Sequence, residues 1–188
     1  MLLKRDNPYQ LVVGMVGVKM GDRMVLVGCG DGGRLGALAA VVGLSGHAAA
    51  VVPDARTAAR AHKGAAQAGA LVEVEVAPAT RLPLEDGSFD LAVVDDTTGV
   101  FGLARAEDRR ASLRELLRVL RPGGRAVLVG ATPRRGLGAL LSRTPSSPPW
   151  IAAGDAVTAL EADGFKPARL LAEREGLAFA EGIKPRQG

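Results

Sequence analysis

An α/β domain with a mostly parallel sheet flanked by helices is the fold expected from this chain, on three observations. Short apolar runs rich in strand-forming residues alternate with longer segments of helical period. Those runs lack the apolar-polar alternation of a half-exposed strand, as strands covered on both faces should. Glycine and proline breaks fall between the runs and the helical segments, at the places where each element must end.

Taken in order, residues 23–27, 48–52, 71–76, 91–95 and 125–129 read as strands, with helices at 33–43, 54–68 and 106–120. The last helix carries Leu113, Leu116, Leu117 and Leu120 on one face. Gly43 and Gly46 close the first helix and Gly69 the second, while Pro122-Gly123-Gly124 is expected to turn the third into the next strand. Repeated strand-helix-strand units imply right-handed crossovers in one parallel sheet. A helix near 154–163 and strands near 168–173 and 177–182, joined at Glu175-Gly176, complete the chain as a terminal hairpin.

Composition narrows the class. The chain has 188 residues, 47% hydrophobic and 23% charged, which suits one domain with a real core and leaves no room for a second full one. The single domain is expected over 1–188, with 1–20 as an N-terminal segment and 131–150, rich in Pro, Ser, Gly and Arg, as a surface connection or a lid. One cysteine and two histidines, His47 and His62, give no disulfide and no metal cluster. The +4 charge comes from scattered arginines with only 3% aromatic residues, which argues against a nucleic-acid surface. Residues 35–52 carry no formal charge, but Gly43, Ser45, Gly46 and His47 interrupt them, so a helix, a turn and a buried strand are expected rather than a membrane span. Neither is a secretory leader expected at the N-terminus; the expectation is a cytoplasmic protein.

The motif that carries chemistry is Gly28-Cys29-Gly30-Asp31-Gly32-Gly33, between the first strand and the first helix. Glycines in that context permit a tight turn and let a ligand approach backbone N–H groups at a helix start. The loop by itself fits a dinucleotide as well as other nucleotide ligands.

Three segments decide between them. Gly21-Asp22-Arg23-Met24-Val25-Leu26-Val27-Gly28-Cys29-Gly30 resembles the GDRVLDVGCG opening of class I S-adenosylmethionine (SAM) methyltransferases of the type 11-like, small-molecule group. The run from Leu82 to Asp90, LPLEDGSFD, resembles that family's LPFPDGSFD segment, and LLRVLRPGG from Leu116 to Gly124 resembles its turn before the fifth strand. The resemblance covers about residues 10 to 184. It implies a Rossmann-like, seven-stranded sheet in the order 3-2-1-4-5-7-6 with strand 7 antiparallel, and SAM across the carboxyl ends of strands 1, 2 and 4, a topological switch point.

By that resemblance the cofactor belongs to Gly28, Cys29, Gly30, Asp31 and Gly32, with Asp54, Ala79 and Asp95. A small-molecule acceptor is implied beside Asp96, which is assigned the catalytic role of orienting or deprotonating it. Where the family carries acids before the loop, at the end of strand 2 and after strand 3, this chain has Leu26, Val52 and Pro78. Asp54 either reaches the ribose in place of the second or caps its helix. Asp31 is likewise a cap or a partner for a ligand amine. Asp95 and Asp96 either contact the ligands or cap the turn to Gly99. Two functions stay open at this point: methyl transfer, and a non-catalytic methyltransferase-like protein acting as a binding or partner subunit; the assembly expected is a homodimer or a complex with a partner subunit. A dinucleotide oxidoreductase is a weaker third.

Overall fold

A computed structural model describes residues 8–99, 101–132 and 150–186. The elements are α1 (Gln10–Val16), β1 (Arg23–Gly28), α2 (Gly32–Val42), β2 (His47–Val52), α3 (Ala55–Ala68), β3 (Glu73–Val76), β4 (Phe89–Asp95), α4 (Ala106–Val119), β5 (Leu120–Ala131), α5 (Asp155–Ala162), β6 (Ala168–Arg174) and β7 (Leu177–Ile183).

They form one seven-stranded sheet in the order β3-β2-β1-β4-β5-β7-β6. Strands β1 to β5 are mutually parallel, and β7 runs antiparallel to both β5 and β6. The expected strand order and antiparallel strand 7 are therefore present. The register places Gly28 of β1 beside Asp95 of β4, so the glycine loop leaves the sheet next to the acid pair.

Alternate side chains of the central strands feed two separate apolar layers. Val25, Val27, Ala92, Val94, Ala126 and Leu128 pack toward α4 and α5. Met24, Leu26, Leu91, Val93, Val127 and Val129 pack toward α1, α2 and α3. Burial on both faces is the reason these strands read as continuous apolar runs.

Two sequence expectations are corrected. The 1–20 segment contains a helix: α1 buries Val12 and Val16 against the sheet, and Gly17 caps it in the left-handed region at φ 61°. Arg125 of β5 holds the end of α1 by donating to the carbonyls of Val16 (2.7 Å) and Gly17 (3.1 Å). Seven residues interrupted by Gly14 are too short for periodicity to reveal a helix whose stability comes from tertiary packing. The second correction concerns Pro122-Gly123-Gly124, which lies inside β5; Leu120 already pairs with Phe89, and a register shift between Phe89 and Leu91 absorbs the irregularity. A bulge gives the same Gly-Pro signal as a turn.

Residues 35–52 form most of α2, a turn and β2, as expected. Among the described residues no helix is long and apolar enough to cross a membrane. Of the 131–150 segment, residues 133–149 lie outside the described residues; Trp150 is buried, with its ring stacked on Phe101 and under the Arg109 guanidinium.

Candidate functional site at the carboxyl edge of the sheet

The glycine loop runs from β1 into α2. Gly28 turns the chain at φ 86°, a value that disfavours a side chain. Further along, glycine is required for contact rather than conformation: a Cβ on Gly32 would collide with the Arg60 carbonyl of α3, and one on Gly36 with the Gly64 carbonyl. The two helices thus meet backbone to backbone. That contact brings Arg60 under the loop, where its Nη1 donates to the carbonyls of Cys29 (2.9 Å) and Gly30 (3.3 Å).

Asp31 is the N-cap of α2, its Oδ1 accepting from the Gly33 N–H at 2.8 Å. The Tyr9 hydroxyl donates to the same oxygen at 3.4 Å and lies over Gly33, where a side chain would strike its ring. Cys29 is buried, and that burial pushes its thiol up to about 11, with Asp95 adding to the rise. Such a thiol is no nucleophile at neutral pH.

Asp95 organises the loop from the neighbouring strand. Only 2% exposed, it accepts from the Gly30 N–H (3.0 Å), the Asp31 N–H (3.3 Å) and the Thr97 hydroxyl (2.6 Å). Arg34 in the first turn of α2 donates to it from Nε (3.2 Å) and Nη2 (3.3 Å), and from Nη2 also to the Thr97 hydroxyl. The carboxylate is therefore turned into the protein and engaged by the loop, not held open toward a ligand amine. Thr97 in turn covers Gly30, where any Cβ would collide with its hydroxyl.

Asp96 points the other way. Its Oδ1 accepts from the Phe101 N–H at 2.6 Å, and both carboxylate oxygens accept from the Gly102 N–H at 3.1–3.2 Å, closing the turn after β4. Burial pushes its carboxyl up to about 6, against the downward pull of those two N–H groups. The folded protein holds the proton more tightly than the unfolded chain, whose carboxyl titrates near about 4. Stability from this group is thus present below about pH 4 and lost as pH rises through about 6. Asp96→Asn is expected to flatten that profile: between pH 4 and 7 the variant should gain on the wild type by on the order of 2–3 kcal/mol in urea unfolding. Parallel profiles for the two proteins would remove the assignment.

Asp54 is the N-cap of α3, accepting from the Thr57 N–H at 2.7 Å; those hydrogen bonds hold its carboxyl below the usual carboxylate range. It is exposed at the end of β2. Ala79 is half-buried in the loop after β3, packed on the apolar layer that includes Leu82. The three positions without acids have structural explanations in two cases: Leu26 and Val52 are buried in the layer facing α1 to α3, whereas Pro78 is exposed.

A cleft of about 750 Å³ opens beside residues 76–78, between the 81–85 loop and α4. Arg118 straps that loop, donating to the Leu82 and Leu84 carbonyls and pairing with Glu115 and Asp86. No group of metal-ligating side chains occurs among the described residues.

The sequence reading brought together the loop, Asp31 and Asp95, but missed Arg34, Arg60, Thr97 and Tyr9. Arg34 and Thr97 lie 61 and 2 residues from Asp95, and Arg60 lies 31 from Cys29. The loop N–H groups of Gly30 and Asp31 already have an acceptor in Asp95, which disfavours a pyrophosphate at this loop and with it a dinucleotide.

The description "Methyltransferase domain" belongs to the family model that matches residues 25–128. An uncharacterised 37.1 kDa protein of transposon Tn4556 in Streptomyces fradiae is 38% identical over 108 residues, covering 57% of this chain and 30% of that protein. The ubiquinone/menaquinone biosynthesis C-methyltransferase UbiE of Geobacter sulfurreducens is 41% identical over 64 residues, covering 34% of this chain and 23% of that enzyme. The matches thus span less than a third of these relatives' own length.

Among solved structures, a SAM-dependent methyltransferase from Aquifex aeolicus superposes with a TM-score of 0.75 at 20% identity, covering 94% of this chain and 89% of its own. The [4+2]-cyclase SpnF superposes with a TM-score of 0.66 at 20% identity, covering 95% and 80%. Likeness at this identity speaks to the fold, and a cyclase on the same fold shows that fold alone does not set the reaction. The family model, by contrast, runs from within β1 through most of β5 and covers more than half of the sequence, so the chain belongs to the methyltransferase domain family.

Proposed function

We propose that this domain binds S-adenosylmethionine at the glycine loop and transfers its methyl group to a small-molecule acceptor. The observation that carries the reading is the loop itself: a backbone turn at the β1/β4 switch point, braced from beneath by Arg60 and from the side by Asp95. The residues present fit such a donor. Asp31 offers a half-exposed carboxylate to the methionine amine, Asp54 stands at the ribose edge of β2, and Ala79 gives an apolar edge for the base. Gly28, Cys29, Gly30 and Gly32 form the backbone floor.

When bound, the sulfonium supplies an activated methyl group. The chain's part is to orient donor and acceptor and to exclude water, which lowers the barrier by alignment more than by proton transfer. Asp96 contributes through the 97–102 turn that it anchors, and Asp95 through the loop, so both act as positioning residues in this reading.

Calorimetric titration with SAM and S-adenosylhomocysteine tests it. Saturable binding of both is expected at or below about 1 mM, with a rise in melting temperature as ligand is added. Silence in both measurements at millimolar ligand would overturn the reading.

A further inference from the structure

We infer that the amino-terminal edge of the sheet is a self-complementary interface, at which a second copy of this chain docks across a two-fold axis. The inference does not depend on donor binding, because the glycine loop leaves β1 at the opposite edge.

The parallel order of the strands builds this surface. Strands β3, β2 and β1 are neighbours and run the same way, so the loops that enter them lie side by side at one end of the sheet. Each loop holds one large apolar side chain in solvent: Leu71 at 78% exposure, Leu44 at 90% and Met20 at 80%, the three most exposed among the described residues. Leu44 and Leu71 flank a hollow of about 390 Å³ that Gly46, Ala48 and Val72 also line. Met20 continues the surface beyond Leu44, its Cγ 4.0 Å from where a Cβ on Gly43 would stand. Single exposed apolar residues are ordinary, but three gathered over two strand spacings, about 10 Å, form a patch. The patch is also rigid. Gly21 donates its N–H to the Val42 carbonyl and His47 to the Asp22 carbonyl, both at 3.0 Å, so little order has to be gained on docking.

Charge selects the occupant. Lys19, next to Met20, is exposed, and its ammonium has no ion-pair partner among the described residues. Glu73 follows Leu71 by two positions; its side chain is 75% exposed and pairs only with His47 Nε2, at 3.6 Å, among the described residues. From β3 to β1 the row therefore reads acid, three apolar side chains, base. A two-fold axis through Leu44 reverses that row, bringing Glu73 of each copy to Lys19 of the other, Leu71 to Met20, and Leu44 to Leu44. An anionic bilayer fits less well, since Asp22, Glu73 and Glu75 outnumber Lys19 and Arg23 at this edge.

Sedimentation velocity of the full chain over about 5 to 500 µM tests the inference. A patch of this size should give a weak dimer, half dissociated at about 10 to 100 µM. Leu44→Glu sets two carboxylates against each other on the axis and should leave a monomer throughout that range. Lys19→Glu and Glu73→Lys each put like charges across both symmetric contacts, and each alone should weaken the dimer by about 10-fold or more. Mixing those two variants brings opposite charges together at both contacts, so the mixture should form a heterodimer about as tightly as the wild type pairs with itself. All three positions are exposed, so the substitutions leave the core untouched.

A wild type that stays monomeric at about 500 µM overturns the inference; if that monomer sediments with phosphatidylglycerol vesicles, the edge docks on a membrane instead. A wild-type dimer that survives Leu44→Glu uses another face and overturns it equally. Charge variants without effect, or weakened variants that do not recover on mixing, overturn the two-fold match.

Discussion

Gly64→Ala is expected to be among the most damaging single substitutions in this domain, although it adds one methyl group. The new Cβ would collide with the carbonyl, carbon and Cα of Gly32, the first residue of α2, and backbone atoms cannot rotate away as a side chain can. Helix α3 would have to move from α2, opening the backbone contact on which Arg60 depends. Alanine alone would favour the helix by about 1 kcal/mol, so the overpacking must exceed that gain. We expect a net loss of about 3 kcal/mol, or roughly 6–12 °C in melting temperature for a chain of this length. Gly14→Ala in α1 is the internal control. Among the described residues no heavy atom beyond its own helix backbone and chain neighbours lies within 4 Å of the added Cβ, so the substitution should be neutral or stabilise by about 0.5–1 kcal/mol. Equal effects of the two substitutions would refute the account of why α2 and α3 meet at glycine.

Asp95→Ala has the second large expected effect. It removes the acceptor for two loop N–H groups and the Thr97 hydroxyl, and leaves the nearly buried Arg34 guanidinium without its main counter-charge. Removing one partner of a buried, hydrogen-bonded ion pair costs about 3–5 kcal/mol. Asp95→Asn, which keeps an acceptor but not the charge, should cost about half as much. Urea unfolding measures both, and a double-mutant cycle with Arg34→Gln should show strong non-additivity. Additive effects would mean that Arg34 and Asp95 do not act as a unit. On the donor-binding proposal, the same alanine variant should lose affinity for S-adenosylhomocysteine, since the loop backbone rests on this carboxylate.

How much of this was legible differs between elements. Strands β1, β2, β4 and β7 each concentrate buried apolar side chains within a short run and are bounded by breakers, so the apolar runs located them to within two residues. The edge strand β3, Glu-Val-Glu-Val and largely exposed, was visible but two residues shorter than its apolar neighbourhood suggested, because Leu71 and Val72 lie outside the pairing. Helix α1 was not legible at all.

Asp31 and Asp54 were readable as caps, since a cap needs only an acid just before a helix and its N–H groups two or three residues on. Their availability to a ligand was not readable, because it depends on which oxygen the cap uses. Asp95 and Asp96 show the limit most clearly. Asp95 is the last residue of β4 and Asp96 the next along the chain, yet one braces the glycine loop and the other the turn at Phe101 and Gly102. Local sequence says that both are acids at a strand end and nothing about which partners reach them.

The succession of strands and helices, the glycine loop between β1 and α2, and the motifs of the family can all be read along the chain. Those are set by interactions of near neighbours and by patterns of burial that repeat along the chain. That Asp95 pins Arg34, that Arg60 holds the loop carbonyls and that Gly64 must be glycine emerges from the packed fold alone. Each of those joins residues from about 30 to 60 positions apart, and the physical reason is that a side chain's charge or volume acquires meaning only from the partner the fold places against it.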